Sequence, residues 1–272
     1  MAEDRQTEMR GAFDAAAADF TALGEHLWEP IGSATVAIAG LQPGDRVLDA
    51  CCGTGASAIP AARVVGPSGH VDAVDLSGPM VDELRRRSGD LPQLHAHRSD
   101  VTAWTTGDYD VVQSALGIFF FPDMTAGTDH LIGLARPGGR VVFTIWRGDA
   151  MAAAGRRLGR AIAEATNTPP APPRPPHLID QVNQAGTFAA WLTERGLDDV
   201  DVTVHEHALT MTPEVAWLVI VGSGFRGGLE KVPADRRDAV REIYLASLLD
   251  DGEPELDATT LIGTGVSPRR RP

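Results

Sequence analysis

One short stretch constrains the fold more than any other: Arg46-Val47-Leu48-Asp49-Ala50-Cys51-Cys52-Gly53-Thr54-Gly55-Ala56-Ser57. It reads as a buried strand that ends in an acid, turns through two glycines and opens a helix. Val47 and Leu48 are both apolar, as a strand covered by helices on both faces requires. Gly53 and Gly55 permit positive φ and a close backbone approach to a ligand. The N-terminus of the following helix offers free N–H groups to an anionic group. Asp49 changes that expectation, because a carboxylate beside the turn disfavours phosphate and favours a cation.

Downstream, strands and helices alternate. His70–Asp75 is a second strand that also ends in an acid, and Ser77 is a plausible cap for the next helix. Leu94–Arg98, Asp110–Ala115 and Arg140–Trp146 supply three more strands, the last rich in β-branched and aromatic residues. A helix from Met124 ends at Pro137-Gly138-Gly139. Short connections in such an alternation imply a parallel, doubly wound α/β sheet. Residues 1–40 read as helical, with Pro30 as a break and Phe13, Phe20 and Trp28 at helical spacings. Beyond Gly148 the expected elements are a helix over 151–166, a proline-rich connection over 168–176 and a helix over 181–195. They continue as a strand over 200–209, helices over 213–221 and 234–249, and a last strand over 256–263.

At 272 residues the chain can bury a full core, and one domain with insertions is the default. A net charge of −13 argues against nucleic acid as a partner. Lys231 is the sole lysine, which removes a phosphate-loop lysine and nearly every Schiff-base chemistry. The two cysteines, Cys51 and Cys52, are adjacent, so neither a disulfide framework nor a zinc site is expected, and they read as small apolar residues under the turn. With no signal-like or membrane-spanning apolar run, the expectation is a cytoplasmic protein with no membrane partner.

The opening run, Val74-Asp75-Leu76-Ser77, Ser99-Asp100-Val101 and Arg136-Pro137-Gly138-Gly139-Arg140 occur in order. Together they resemble the ordered motifs of class I S-adenosylmethionine-dependent methyltransferases, in the type 11/25 branch similar to ubiquinone and menaquinone biosynthesis enzymes. The match is good from Phe13 to Trp146 and loose beyond it. The resemblance implies a Rossmann-like, mostly parallel seven-stranded sheet with an N-terminal helical lid and a helical cap insertion. It divides a single domain into a lid (1–40), a cofactor-binding core (41–146), a substrate cap with the last strands (147–265) and a disordered tail (266–272).

The resemblance also implies roles. Asp49, with the loop Cys51, Gly53, Thr54 and Gly55, would meet the methionine part of the cofactor, Asp49 facing its ammonium group. Asp75 would accept from the ribose hydroxyls, Leu76 and Met80 would pack on the adenine, and Asp100 and Val101 would meet its exocyclic amine and edge. Gln113 and Ser114 would pass near the sulfonium. Phe13, Phe20, Trp28, Gly117, Phe119 and Phe120 would line the side of the methyl acceptor. Phe20 departs from the pattern, standing where relatives often carry tyrosine.

Methyl transfer from a sulfonium forces no catalytic residue, and a base is required only where the acceptor loses a proton. Among His130, His177, His205 and His207, His177 is the first choice, because it follows the proline-rich segment where a cap would lie. The expectation is an enzyme that methylates a small molecule of specialised metabolism, oxygen favoured over carbon or nitrogen, with S-adenosylhomocysteine as product and no metal. It would act as a monomer or homodimer. Two alternatives stand beside it: a non-methylating enzyme, for example a pericyclic catalyst, with the cofactor bound but unspent, and a dinucleotide-binding Rossmann protein suggested by Gly53-x-Gly55-x-x-Ala58 followed by Asp75.

Overall fold

The computed structural model describes residues 2–170, 172, 175–250 and 255–268. Helix α1 (Ala2–Ala22) runs through a single π-helical turn (Gly24–Trp28) into α2 (Glu29–Ala39). Pro30 therefore does not break the chain as expected. It sits in the first turn of α2, where its missing N–H leaves no helical bond unmade. The core follows as β1 (Arg46–Ala50), α3 (Ala58–Val65), β2 (His70–Asp75), α4 (Gly78–Arg87), β3 (Leu94–Arg98), β4 (Tyr109–Ala115), α5 (Met124–Leu134) and β5 (Ala135–Trp146).

Next come α6 (Ala152–Thr166), α7 (Ile179–Val182), α8 (Ala185–Glu194), β6 (Asp198–His205), β7 (Ala208–Thr210), α9 (Pro213–Val221), α10 (Arg226–Glu230), α11 (Arg237–Asp250), β8 (Glu255–Asp257) and β9 (Thr260–Val266). The helix expected over 181–195 is thus two helices, divided at Asn183 and Gln184. Both late strands are also divided, because β7 and β8 leave the main sheet to pair with each other. The tail is tied down further than expected: β9 includes Val266, and Ser267 exchanges backbone hydrogen bonds with Gly138 and Gly139. Residues 269–272 lie outside the described residues.

The sheet runs β3-β2-β1-β4-β5-β9-β6, parallel from β3 to β5, with β9 antiparallel to both of its neighbours. This is the expected seven-stranded, mostly parallel architecture. Strand alternation divides the core into two layers. Val47, Val111, Val142 and Ile262 pack under α2 and α3, whereas Leu48, Val112, Val141 and Leu261 face the layer that holds Leu131 of α5 and Phe188 of α8. Thr35 of α2 and Thr144 of β5 share a buried hydroxyl–hydroxyl bond of 2.7 Å, which fixes α2 on its layer. A third apolar cluster lies beyond the sheet, where Leu23, Leu27 and Ile31 meet Leu158, Val219 and Tyr244. Phe119, Trp28 and Trp146 border that cluster, so its inner wall begins where β4 and β5 end. Among the described residues, no helix is long and apolar enough to cross a membrane.

Candidate active site

The carboxyl ends of β1, β2 and β4 converge at the Cys51–Ser57 turn, at the switch in strand order where open α/β sheets place a ligand. Asp49 is fully buried. Its Oδ2 accepts from the Ser57 hydroxyl at 2.7 Å, while Oδ1 has no hydrogen-bond partner among the described residues. Burial pushes its pKa up to about 7, and the Ser57 bond and the neighbouring Gln113 side chain oppose that shift only in part. A buried carboxylate in this state is stabilised by an incoming cation.

Asp75 organises the loop. Its Oδ2 accepts from Gly53 N and its Oδ1 from Ser77 N, both at 2.9 Å. Burial raises its pKa, against the pull of those two N–H groups. Each oxygen keeps a second lone pair for a hydroxyl donor. Gly55, at φ +97°, is required by packing as well as by its backbone, since a Cβ there would lie 2.4 Å from Leu84 Cδ1. At Cys51 the chain takes φ +58°, a left-handed position that the sequence reading assigned to the glycines alone. Thr54 and Cys52 are buried beneath the turn, and both cysteines are free thiols.

Gln113 lies in strand register with Asp49 and is fully buried, with neither side-chain polar atom partnered among the described residues; Ser114 Oγ is in the same state. Leu76 is half-buried and Met80 buried. Asp100 accepts from Thr102 N at 2.9 Å and from the Thr102 hydroxyl at 2.7 Å, both through Oδ1, and so caps the short turn Val101–Ala103. The Val101 side chain is in the core. Gly117 is explained by packing, because a Cβ would lie 2.5 Å from both Cys51 Cβ and Ser114 Oγ.

The predicted acceptor-side aromatics do come together. Phe119 and Phe120 are 4.7 Å apart, Phe120 meets Phe13 edge-on at 5.3 Å, and Phe13 meets Phe20 at 6.5 Å. Phe20 stacks on Trp28 at 4.6 Å, and Trp28 continues to Trp146 at 6.4 Å. Phe20 also borders Gly53 and so closes α1 over the turn. Asp14, which sequence reasoning missed, accepts from the Ser77 hydroxyl at 2.6 Å and fastens α1 beside Asp75. Its sole sequence signal is adjacency to Phe13. Ser57 carried no signal at all, since its partner is eight residues upstream.

The choice of His177 as base meets an obstacle. Its Nδ1 accepts from Ile179 N at 3.2 Å and its backbone N donates to Asp180 Oδ2 at 2.9 Å, so it leads into α7 as a turn residue. With Nδ1 accepting, the neutral ring carries its proton on Nε2 and has no second lone pair with which to act as a base. Proximity to the cap could not reveal that local bond. His205 and His207 stack with centroids 6.2 Å apart, but only His205 lies in the strand; His207 Nε2 is 2.8 Å from the His26 carbonyl. No group of three or more His, Cys, Asp or Glu among the described residues is arranged to hold a metal.

Residues 47–139 match the family model described as a methyltransferase domain. Aklanonic acid methyltransferase DauC of Streptomyces is 31% identical over 137 residues, 49% of this chain and 62% of that protein. Nocamycin O-methyltransferase of Saccharothrix syringae is 32% identical over 137 residues, 48% of this chain and 49% of that protein. The chain spans about half the length of the first curated relatives it matches, 47% in each of the first three. In fold it is similar to phosphoethanolamine N-methyltransferase 2 of Haemonchus contortus, with a TM-score of 0.53 and 17% identity over 88% of this chain and 52% of that one. The matched region runs from β1 to the start of β5 and holds Asp49, Asp75, Asp100 and Gln113, so this part of the chain is a methyltransferase domain.

Proposed function

We propose that the protein transfers the methyl group of S-adenosylmethionine to a small-molecule acceptor, with oxygen as the favoured atom. The observation that carries this is Asp49, a fully buried carboxylate with one unpartnered oxygen beside the Gly53–Gly55 turn. Such a group repels phosphate and suits the ammonium of the methionine part. Asp75 takes the ribose hydroxyls on its remaining lone pairs, Asp100 Oδ2 takes the adenine amine, and Leu76 and Met80 enclose the ring. Cys51, Thr54, Gln113 and Ser114 line the path to the sulfonium.

The bound cofactor supplies an activated methyl group. The chain's own contribution is alignment and exclusion of water, worth several orders of magnitude when the reacting atoms are held in line. Phe13, Phe20, Trp28, Phe119 and Phe120 form an apolar wall that orients the acceptor and keeps the site dry. The names of DauC and the nocamycin enzyme support a natural-product acceptor. Incubation with methyl-labelled cofactor and a panel of phenolic and enolic natural products tests this: label should appear in acceptor oxygen. Cofactor binding without transfer to any acceptor would overturn it.

A further inference from the structure

Three polar atoms are buried without a hydrogen-bond partner among the described residues near the ends of β5, β9 and β6: Trp28 Nε1, Thr260 Oγ1 and His205 Nε2. Thr260 is in register with Trp146 on one side and His205 on the other, so these three side chains leave the same face of the sheet. Trp28 joins them through its 6.4 Å contact with Trp146. It also stacks on Phe20, which borders Gly53. An unbroken aromatic run therefore leads from the cofactor turn to this polar trio. By strand alternation the trio shares its face with Asp49 and Gln113, two further groups with unpartnered buried atoms.

Unpartnered buried polar atoms are rare in native structures and call for an explanation. Thr260 and His205 are side by side at strand ends, and Trp28 is brought to them by Trp146. Their chemistry is specific. The indole N–H only donates, and the threonine hydroxyl donates or accepts. Burial holds the His205 ring below its ordinary pKa, which keeps it neutral near pH 7. An open cleft beside these strand ends is lined by Glu206, Glu255 and Asp257, by Arg147, which is itself paired with Asp257 at 3.1 Å, and by Thr259, the chain neighbour of Thr260. Its excess of acids repels a carboxylate or phosphate and leaves a neutral oxygen as the group that the trio can receive.

We infer that Trp28, Thr260 and His205 form a recognition subsite for a carbonyl or hydroxyl oxygen at the far end of an extended aromatic acceptor. This rests on the methyl-transfer function proposed above. From β4, beside the sulfonium position, to β6 is three strand spacings, roughly 14 Å. A single ring cannot bridge that span; a linear acceptor of three or more fused rings can.

The test is a fluorescence titration of the protein, saturated with S-adenosylhomocysteine, with two probes of the same three-ring skeleton: 2,6-dihydroxyanthracene, which carries an oxygen at each end, and 2-hydroxyanthracene, which carries one. The wild type should bind the dihydroxy probe about tenfold more tightly, the scale of one or two neutral hydrogen bonds. Thr260→Val and His205→Phe should each remove most of that preference while leaving affinity for 2-hydroxyanthracene and S-adenosylhomocysteine unchanged. Thr260→Val should also keep or raise the Tm, since it removes a buried hydroxyl that has no protein partner. Equal affinity for the two probes, binding of neither, an unaltered preference in both variants, or a lowered Tm in Thr260→Val would overturn the subsite. Failure of the wild type to bind S-adenosylhomocysteine would instead overturn the methyl-transfer function.

Discussion

Replacing Asp49 with Asn should make the free protein more stable and the cofactor complex weaker. Burial lifts the Asp49 pKa from 3.8 to about 7. A raised carboxylate pKa means that the folded state holds its proton at pH values where the unfolded chain has released it. Stability from this group is thus full below pH 4 and is lost as pH rises to about 7. At about 1.4 kcal/mol per pKa unit the loss is at most ~4 kcal/mol by pH 8. Asn keeps the shape and can still accept from Ser57, but it never ionises. Apo Asp49→Asn should therefore melt several degrees above wild type at pH 8, at roughly 2–4 °C per kcal/mol for a chain of this size. The difference should vanish near pH 4. Calorimetry at pH 8 should meanwhile show S-adenosylhomocysteine bound ~10- to 100-fold more weakly, the scale of a lost charge-assisted hydrogen bond. An Asn variant that melts lower than wild type at pH 8, or binds with unchanged affinity, would refute both the electrostatic account and the ammonium assignment.

Wild-type affinity for the same ligand should fall below pH 7, by up to about tenfold per pH unit, because the ammonium requires the ionised carboxylate; the slope should be absent in Asp49→Asn. Asp75→Ala should weaken binding by roughly 1–3 kcal/mol, since it removes the proposed ribose acceptor and frees Gly53 N; unchanged affinity by calorimetry would reject the assignment. His177→Ala should leave the pH profile of turnover in place, and loss of its acid limb would identify His177 as the base. On β2, burial of Asp72 is outweighed by hydrogen bonds from Tyr109 and His97 and by the charge of His70, which hold it below the usual range. Asp72 therefore supports stability above about pH 4 and loses that support in acid, so Asp72→Asn should lower the Tm at pH 7 and flatten the acid limb of the melting profile.

Much of the parallel half was legible because its signals are local. Val47, Leu48 and Asp49 state in three residues that a strand is covered on both faces and reaches a polar group at its end, and His70–Asp75 repeats the statement. The antiparallel β9 between β5 and β6 was legible only by resemblance, because its pairing joins Arg140 to Val266 across more than a hundred residues. The division of 200–209 and 256–263 followed from the separate β7–β8 pairing, which no single segment encodes. Pro30 misled because proline signals a helix start as readily as a helix stop. In the site, Asp49 and Asp75 announced themselves as acids at strand ends, and the aromatics of α1 as a helical stripe. Ser57, Asp14 and Thr260 did not, and His205 stood out only as one of four candidate bases, since what marks them is a partner, or the lack of one, that exists only in three dimensions.

The most direct test is a crystal structure of the protein with S-adenosylhomocysteine. The methionine ammonium should lie within hydrogen-bond distance of Asp49 Oδ1, with both ribose hydroxyls on Asp75 and the thioether sulfur facing the Phe119–Phe120 wall. A ligand bound elsewhere, or one whose carboxylate rather than ammonium faces Asp49, would contradict the account.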